Sequence, residues 1–277
     1  MWLFVFLRLN IIPSDAIFSV QDSIFNVFLE NPIRLSNQGR KTYKMRAEFH
    51  NFRYNMNFSM FYKCINAEKE GGALFLNRCN VSLFQCHFKD CHAKYSGSIH
   101  ISHSQISSIS DSSIHNSSAE WVGGCFADGR QENDSFNIYR SNFSESNAQR
   151  WVGGLRVQHN SGVVQQCSFT RCTAEFSGAF FDYSSNPSNR NISLCFVNNC
   201  TGGSHSSGIT AFRMLFRGLI ADCCFRNNHK GSVLVYADSS ILSIVSCFFD
   251  KEYEYEIHIN YNTSILSLNN NSFIKQL

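Results

Sequence analysis

Twelve cysteines and ten histidines give this 277-residue chain soft and titratable groups, but their spacing does not build a metal site. Cys86 and Cys91, and Cys167 and Cys172, lie five apart; Cys223 and Cys224 are adjacent; no C-x-x-C pair exists, and His87 and His92 lack the spacing of helix-borne ligands. Tetrahedral zinc needs four converging ligands, so no metal and no cofactor is expected. Among the acids, Asp128, Asp182 and Asp238 follow a recurring glycine motif at similar offsets, with Arg156 and Arg213 on the same broad face. Glycoside hydrolysis needs two carboxylates that converge on one bond, and these three belong to separate repeats. A polysaccharide lyase or glycosidase is therefore the alternative rather than the leading expectation. Walker, G-x-S-x-G and repeat-in-toxin calcium motifs are absent from the sequence.

The second chemically suggestive set is aromatic. Tyr95, Trp121, Trp151 and Phe176 each precede a copy of the glycine motif, with Glu120, Gln149, Arg150 and Glu175 beside them. If they share one corner of the fold, they form a strip that can stack on sugar rings or anchor a protein partner. The plainer alternative is that they pack on one another and shield a turn.

The elements that must position these groups emerge from a repeat. Gly71-Gly72, Ser96-Gly97, Gly123-Gly124, Gly153-Gly154, Ser177-Gly178, Ser207-Gly208 and Lys230-Gly231 recur about 23 to 30 residues apart, and Glu256-Ile257-His258-Ile259 is a degenerate further copy. Interleaved with them is an aromatic or aliphatic residue followed three positions later by a small or amide residue: Phe61, Phe88, Ile114, Phe143, Phe169, Phe196, Phe225, Phe248 and Phe273 lead the copies. Between the motifs, apolar residues alternate, as in Val81-Ser82-Leu83 and Ile192-Ser193-Leu194. Period-two alternation marks half-buried strands, and neither a 3.6-residue period nor the leucine-rich-repeat pattern is present. Each repeat is too short for a propeller blade. The expected fold is all-β: a right-handed parallel β-helix of the pectin-lyase type, with about eight to nine coils. In such a solenoid equivalent residues stack at the strand spacing of about 4.8 Å, so the Phe positions form a core column, Asn199 and Asn228 share a column, and the glycines permit either a positive φ or a close backbone approach.

Stacking also brings cysteines together. Cys64 with Cys91, Cys172 with Cys200, and Cys195, Cys224 and Cys247 fall on equivalent or nearly equivalent positions, and adjacent coils give Cα separations within the disulfide range. Coil-to-coil disulfides are expected if the chain is exported; in a reducing compartment the same residues act as buried thiols.

Gly71-Gly72-Ala73-Leu74, together with Phe196-Val197-Asn198-Asn199 and Phe225-Arg226-Asn227-Asn228, resembles the paired GGA(I/L/V) and FxxN motifs of the chlamydial polymorphic outer membrane proteins. The likeness runs from about Phe58 to the C-terminus, although most copies here carry FxxC or FxxS, and the translocation barrel of that family has no counterpart. The resemblance implies a non-catalytic β-helix displayed on a cell surface, with adhesion to a host or neighbouring-cell protein or glycan as its role. It implies no catalytic residues.

The remaining features bound the setting. Residues 1–50 are expected to hold a leader and an irregular cap, and residues 51–277 the solenoid, incomplete at its C-terminus because an open coil edge needs a cap. Met1–Leu7 is an apolar run ahead of a small-residue site near Ala16, the pattern either of a hydrophobic strand or cap at the N-terminus or of a weak signal peptide. Sequons at Asn57, Asn80, Asn116, Asn133, Asn142, Asn191, Asn199 and Asn262 point the same way, towards a cell-surface or extracellular location. No run reaches the ~20 apolar residues of a membrane span, so any membrane attachment requires an anchor outside this chain. A net charge of +3 without a clustered basic face gives no case for nucleic acid. Arg34, Arg40, Lys41, Lys44 and Arg46 are expected to be solvated. An intracellular structural repeat protein is the third class that the sequence leaves open.

Overall fold

The computed structural model describes residues 26–28, 34–37, 41–51, 53–129, 134–159, 161–183, 189–203, 206–212, 217–228, 235–238, 241–250, 257–259 and 264–273. All of its regular structure is strand. The strands form three parallel sheets ten strands deep and a fourth, six strands deep, made of two-residue strands. One coil runs through the sheets in order, for example Leu74–Asn77, Asn80–Phe84, His87–Lys89 and His92–Ala93. The result is the expected right-handed parallel β-helix, with a deeper stack than the eight to nine coils read from the repeats. The additional coil is at the N-terminal end, where Asn26–Phe28, Arg34–Asn37 and Lys41–Tyr43 pair in parallel with the next coil. Within the segment expected to be an irregular cap, the described strands Asn26–Phe28, Arg34–Asn37 and Lys41–Tyr43 are thus part of the solenoid. The candidate leader, Met1 to Ala16, lies outside the described residues.

Side-chain phase within each coil is set by its turns. In the coil just named, Val81, Leu83, Cys86, Phe88, Cys91 and Ala93 point inward and are buried. The break in alternation between Leu83 and Cys86 is made by Gln85, at φ 50°, and that between Phe88 and Cys91 by Asp90, at φ 56°. The same left-handed corner recurs up the stack at Asp111, Arg140, Gln166, Leu194, Asp222 and Ser246, and at Asn116, Glu145, Arg171, Asn199 and Asn227. Non-glycine residues rarely adopt this region; here the backbone N–H of each corner residue donates to the next coil, as Gln85 does to Ser110 O at 3.0 Å.

Phe88, Ile114, Phe143 and Phe169 are in direct vertical register. Rings stack 5.0 Å apart in the pairs Phe61–Phe88, Phe143–Phe169 and Phe225–Phe249. The column departs from the sequence motif twice. Val197 and Phe249, not Phe196 and Phe248, occupy the core position, because the left-handed residues Leu194 and Ser246 fix the phase one residue later. Phe196 faces outward and is 37% exposed. For the same reason Asn228 stacks on Cys200, while Asn199 is an exposed corner residue stacked on Asn227.

The glycine motif also resolves into two neighbouring columns: Gly72, Gly97, Gly123, Gly153 and Gly178 in one, Gly124, Gly154 and Gly208 in the next. Close approach is the main reason for glycine here. A Cβ on Gly97 would lie 2.1 Å from Gly123 O and 2.7 Å from Ser118 N, which no L side chain tolerates.

One place in the core is charged. Arg190, 1% exposed, points inward between Gly162 and Gly218 of the flanking coils, which leave room for it. Its Nε donates to Asp182 Oδ2 at 2.8 Å and its Nη1 to Phe136 O at 2.9 Å. Burial pushes the Asp182 carboxyl up while Arg190 opposes that shift.

Candidate functional site

Tyr95, Trp121, Trp151 and Phe176 occupy one corner, just before the first sheet, on four consecutive coils. The residues that follow them, Ser96, Val122, Val152 and Ser177, form a parallel bridge ladder, and Trp151 N donates to Trp121 O at 3.1 Å. Coil spacing then forces the rings into a stack. Tyr95 and Trp121 have centroids 5.8 Å apart at 18°, Trp121 and Trp151 6.3 Å apart at 17°, and Trp151 and Phe176 5.0 Å apart at 44°. All four are half-buried. Their faces are turned towards one another, so the strip presents ring edges outward. Arg150 lies 4.7 Å from the Trp121 ring centroid and pairs with Glu120 at 3.0 Å. Gln149, Arg150 and Glu175 are exposed at its rim.

Beneath the strip lies a layer that the sequence motifs did not reveal. The central outward position of the first sheet holds Phe75, His100, Phe126, Arg156 and Phe181 in register on five coils, each no more than 9% exposed. The strip covers this face: Tyr95 meets Phe126 at 5.4 Å, and Trp151 meets Phe181 at 5.9 Å. The layer alternates phenyl rings with cation-capable groups. The His100 ring sits 5.3 Å from Phe75 and 4.8 Å from Phe126, with Nδ1 3.0 Å from Ser96 Oγ. Burial drives its pKa down to about 3, and Arg46, His103 and Arg156 push it the same way, so it is neutral at physiological pH. The Arg156 guanidinium is 4.8 Å from Trp151, 5.3 Å from Phe126 and 5.5 Å from Phe181, a multiple cation–π site, and Nη2 donates to Gln158 Oε1 at 2.9 Å. Burial lowers its pKa. Arg46, expected to be solvated, is part of the same layer: it lies 5.0 Å from the Phe75 ring and pairs with Glu48. The clue in the sequence was an aromatic or charged residue repeatedly placed at an outward strand position directly after the glycine motif.

The carboxylates do not converge. Asp182 is inside the solenoid, bound to Arg190. Asp128 is on the outer edge of the first sheet, 3.2 Å from His159 Nδ1, and Asp238 holds the corresponding register position four coils on, about 19 Å away at the usual strand spacing. That exceeds the separation of any glycosidase acid pair. Arg213 lies outside the described residues. No three His, Cys, Asp or Glu side chains among the described residues group around one point.

All twelve cysteines are free thiols, and eleven are buried. Cys64–Cys91 and Cys172–Cys200 are stacked pairs as expected. Cys224 is not in the column of Cys195 and Cys247: it faces outward between Phe196 and Phe248, and Cys223 takes the inward place. The inward thiols share their columns with serine and asparagine. Ser112 and Ser141 stack between Cys86 and Cys167, Ser117 and Ser146 between Cys91 and Cys172. They also share a role: Cys167 Sγ is 3.3 Å from Gln165 O, as Ser141 Oγ is 2.9 Å from Tyr139 O and Ser112 Oγ 2.8 Å from Ser110 O. These positions select a short side chain with a donor.

No protein-family model matches the chain, and neither the curated proteins nor the solved structures contain a match to it.

Proposed function

We propose that this chain is a non-catalytic β-helix scaffold displayed at a cell surface or secreted, whose Tyr95–Trp121–Trp151–Phe176 edge binds a protein on a host or neighbouring cell. One observation carries the proposal: four aromatic side chains, two of them tryptophan, remain half-exposed in a continuous stack bordered by Arg150, Glu120 and Glu175. Aromatic edges flanked by charge suit a protein interface, where Trp, Tyr and Arg dominate the binding energy. Glycan stacking is less well served, because it needs an open ring face and these faces are taken up by neighbouring rings. The likeness to the polymorphic outer membrane proteins supports the same display role. A labelled solenoid should bind intact target cells, and Trp121→Ala with Trp151→Ala should reduce that binding at least tenfold while the thermal unfolding transition remains cooperative. Equal binding by the double variant removes the edge from consideration, and failure of an antibody to label intact producing cells removes surface display.

A second reading has its own support. Thiols standing in for serine as buried donors suit a reducing compartment, where the same scaffold serves as an intracellular structural protein. Thiol counting on the denatured, unreduced protein separates the two: twelve free thiols favour the intracellular setting, and cross-coil disulfides favour export.

A further inference from the structure

The residues that precede the aromatic strip carry a pattern of their own. Lys94, Glu120, Arg150 and Glu175 form one column on the coils that hold Tyr95, Trp121, Trp151 and Phe176. Main-chain bonds fix their register: Glu120 N donates to Lys94 O at 3.0 Å, Arg150 N to Glu120 O at 2.9 Å and Phe176 N to Arg150 O at 2.9 Å. Lys94, Arg150 and Glu175 are exposed, and Glu120 is half-buried. Read up the stack, the column runs positive, negative, positive, negative. Lys69 takes the corresponding place on the coil below, where Lys94 N donates to Lys69 O at 3.1 Å. Glu70 follows it there in place of an aromatic residue, so the strip begins at Tyr95.

A protein that covers the ring edges must also meet these charges. A second copy laid alongside in parallel register sets like charge against like, which disfavours the contact. Turned end for end, the same column reads negative, positive, negative, positive, and every charge faces its opposite. A two-fold axis between the Trp121 and Trp151 rungs then sets Lys94 against Glu175 of the second copy and Glu120 against Arg150 of the second copy, each contact made twice. Both copies repeat at the strand spacing of about 4.8 Å, so all rungs match without adjustment. Glu120 and Arg150 already pair within the chain, and the second copy's pair closes them into a ring of four alternating charges. The same operation lays Trp121 beside Trp151 of the second copy, and Tyr95 beside Phe176 of the second copy.

We propose that the protein partner of the aromatic edge is a second copy of this chain, bound antiparallel. This rests on the reading of that edge as a protein interface and names what it binds. Antiparallel pairing suits two solenoids that reach towards each other from facing cells. The strip spans about 14 Å from its first rung to its last, a smaller face than the ~800 Å² per partner of a stable complex. One contact is therefore weak, and many side by side hold through avidity.

The test is sedimentation velocity of the full chain over a concentration series, with thermal unfolding as the check that each variant keeps its fold. The wild type should pass reversibly from monomer to dimer as concentration rises, and added salt should weaken the dimer. Lys94→Glu alone, or Glu175→Lys alone, sets like charges against each other twice and should weaken the dimer by about tenfold or more. Lys94→Glu combined with Glu175→Lys in one chain restores opposite charges only in the antiparallel arrangement, and it should return dimerisation to about the wild-type level. A wild type that stays monomeric throughout overturns the proposal, and so does a double variant no better than the singles. If that monomeric wild type still binds target cells, and Trp121→Ala with Trp151→Ala abolishes the binding, self-recognition falls while the protein-interface reading of the edge stands.

Discussion

The solenoid interior and the outer face of the first sheet are both dry, yet they are built on opposite rules. Inside, like stacks on like: Phe61 on Phe88, Phe143 on Phe169, Phe225 on Phe249, with Ile114 and Val197 as aliphatic breaks. Outside, unlike alternates with like, as Phe75, His100, Phe126, Arg156 and Phe181 follow one another. The interior is enclosed by its own sheets, so its ring and aliphatic columns are held mainly by hydrophobic burial. The outer layer is roofed only by the half-exposed strip and gains instead from ring contacts with the neutral His100 imidazole and with the Arg156 guanidinium. The difference teaches that parallel stacking sets vertical neighbours without dictating their chemistry; the sealing of each layer decides which chemistry is stable there.

The contrast breaks most sharply at the interior's charged exception. Arg190→Leu leaves the Asp182 carboxylate buried without its cation, and a loss of about 3–5 kcal/mol is expected in chemical denaturation. Adding Asp182→Leu should recover most of that loss. If the single variant is as stable as the wild type, Arg190 does not compensate the buried Asp182 carboxylate.

Acid should separate the two layers. His100 is neutral in the folded chain down to about pH 3 but protonates near 6.5 when unfolded. Between those values the unfolded state binds more protons, so its contribution to stability is complete above about pH 6.5 and falls as pH drops through the window. His100→Phe, which continues the rings of Phe75 and Phe126, should flatten the decline of the thermal midpoint between pH 6.5 and pH 4. An unchanged pH profile would mean that the outer layer does not open with the rest of the fold.

Smaller effects sharpen the interior rule. Ser107 faces inward between Val81 and Phe136, 1% exposed, and its hydroxyl has no hydrogen-bond partner. Ser107→Val should stabilise by about 1 kcal/mol, through added apolar burial and removal of an unsatisfied polar group; a lower denaturation midpoint would show that the coil cannot accept the added volume. At the bottom of the scale, Arg140 and Asp111 form a two-pronged surface pair at 2.7 and 2.8 Å on neighbouring corners. Arg140→Ala should leave the midpoint unchanged, because solvent screens exposed pairs.

The repeat, the parallel stacking and the Phe88–Ile114–Phe143–Phe169 column were legible in the sequence, as was the sharing of one corner by Tyr95, Trp121, Trp151 and Phe176. Their legibility has one cause: a solenoid converts a sequence period into vertical adjacency, so a recurring motif is already a spatial statement. What the period cannot specify is phase to the single residue. Leu194 and Ser246 take left-handed corners without being glycine, and a one-residue shift exchanges the inner and outer faces of a strand; Val197 and Phe249 therefore enter the core and Cys224 leaves it. The burial of the outward Phe75–Phe181 layer required a roof folded over it from the aromatic corner. The Arg190–Asp182 pair required Gly162 and Gly218 to stand above and below a single guanidinium. Sequence alone determined which residues recur, because periodicity is a property of the chain; the tertiary structure decided which way each one faces and what covers it, because those depend on turns and neighbours that no single repeat contains.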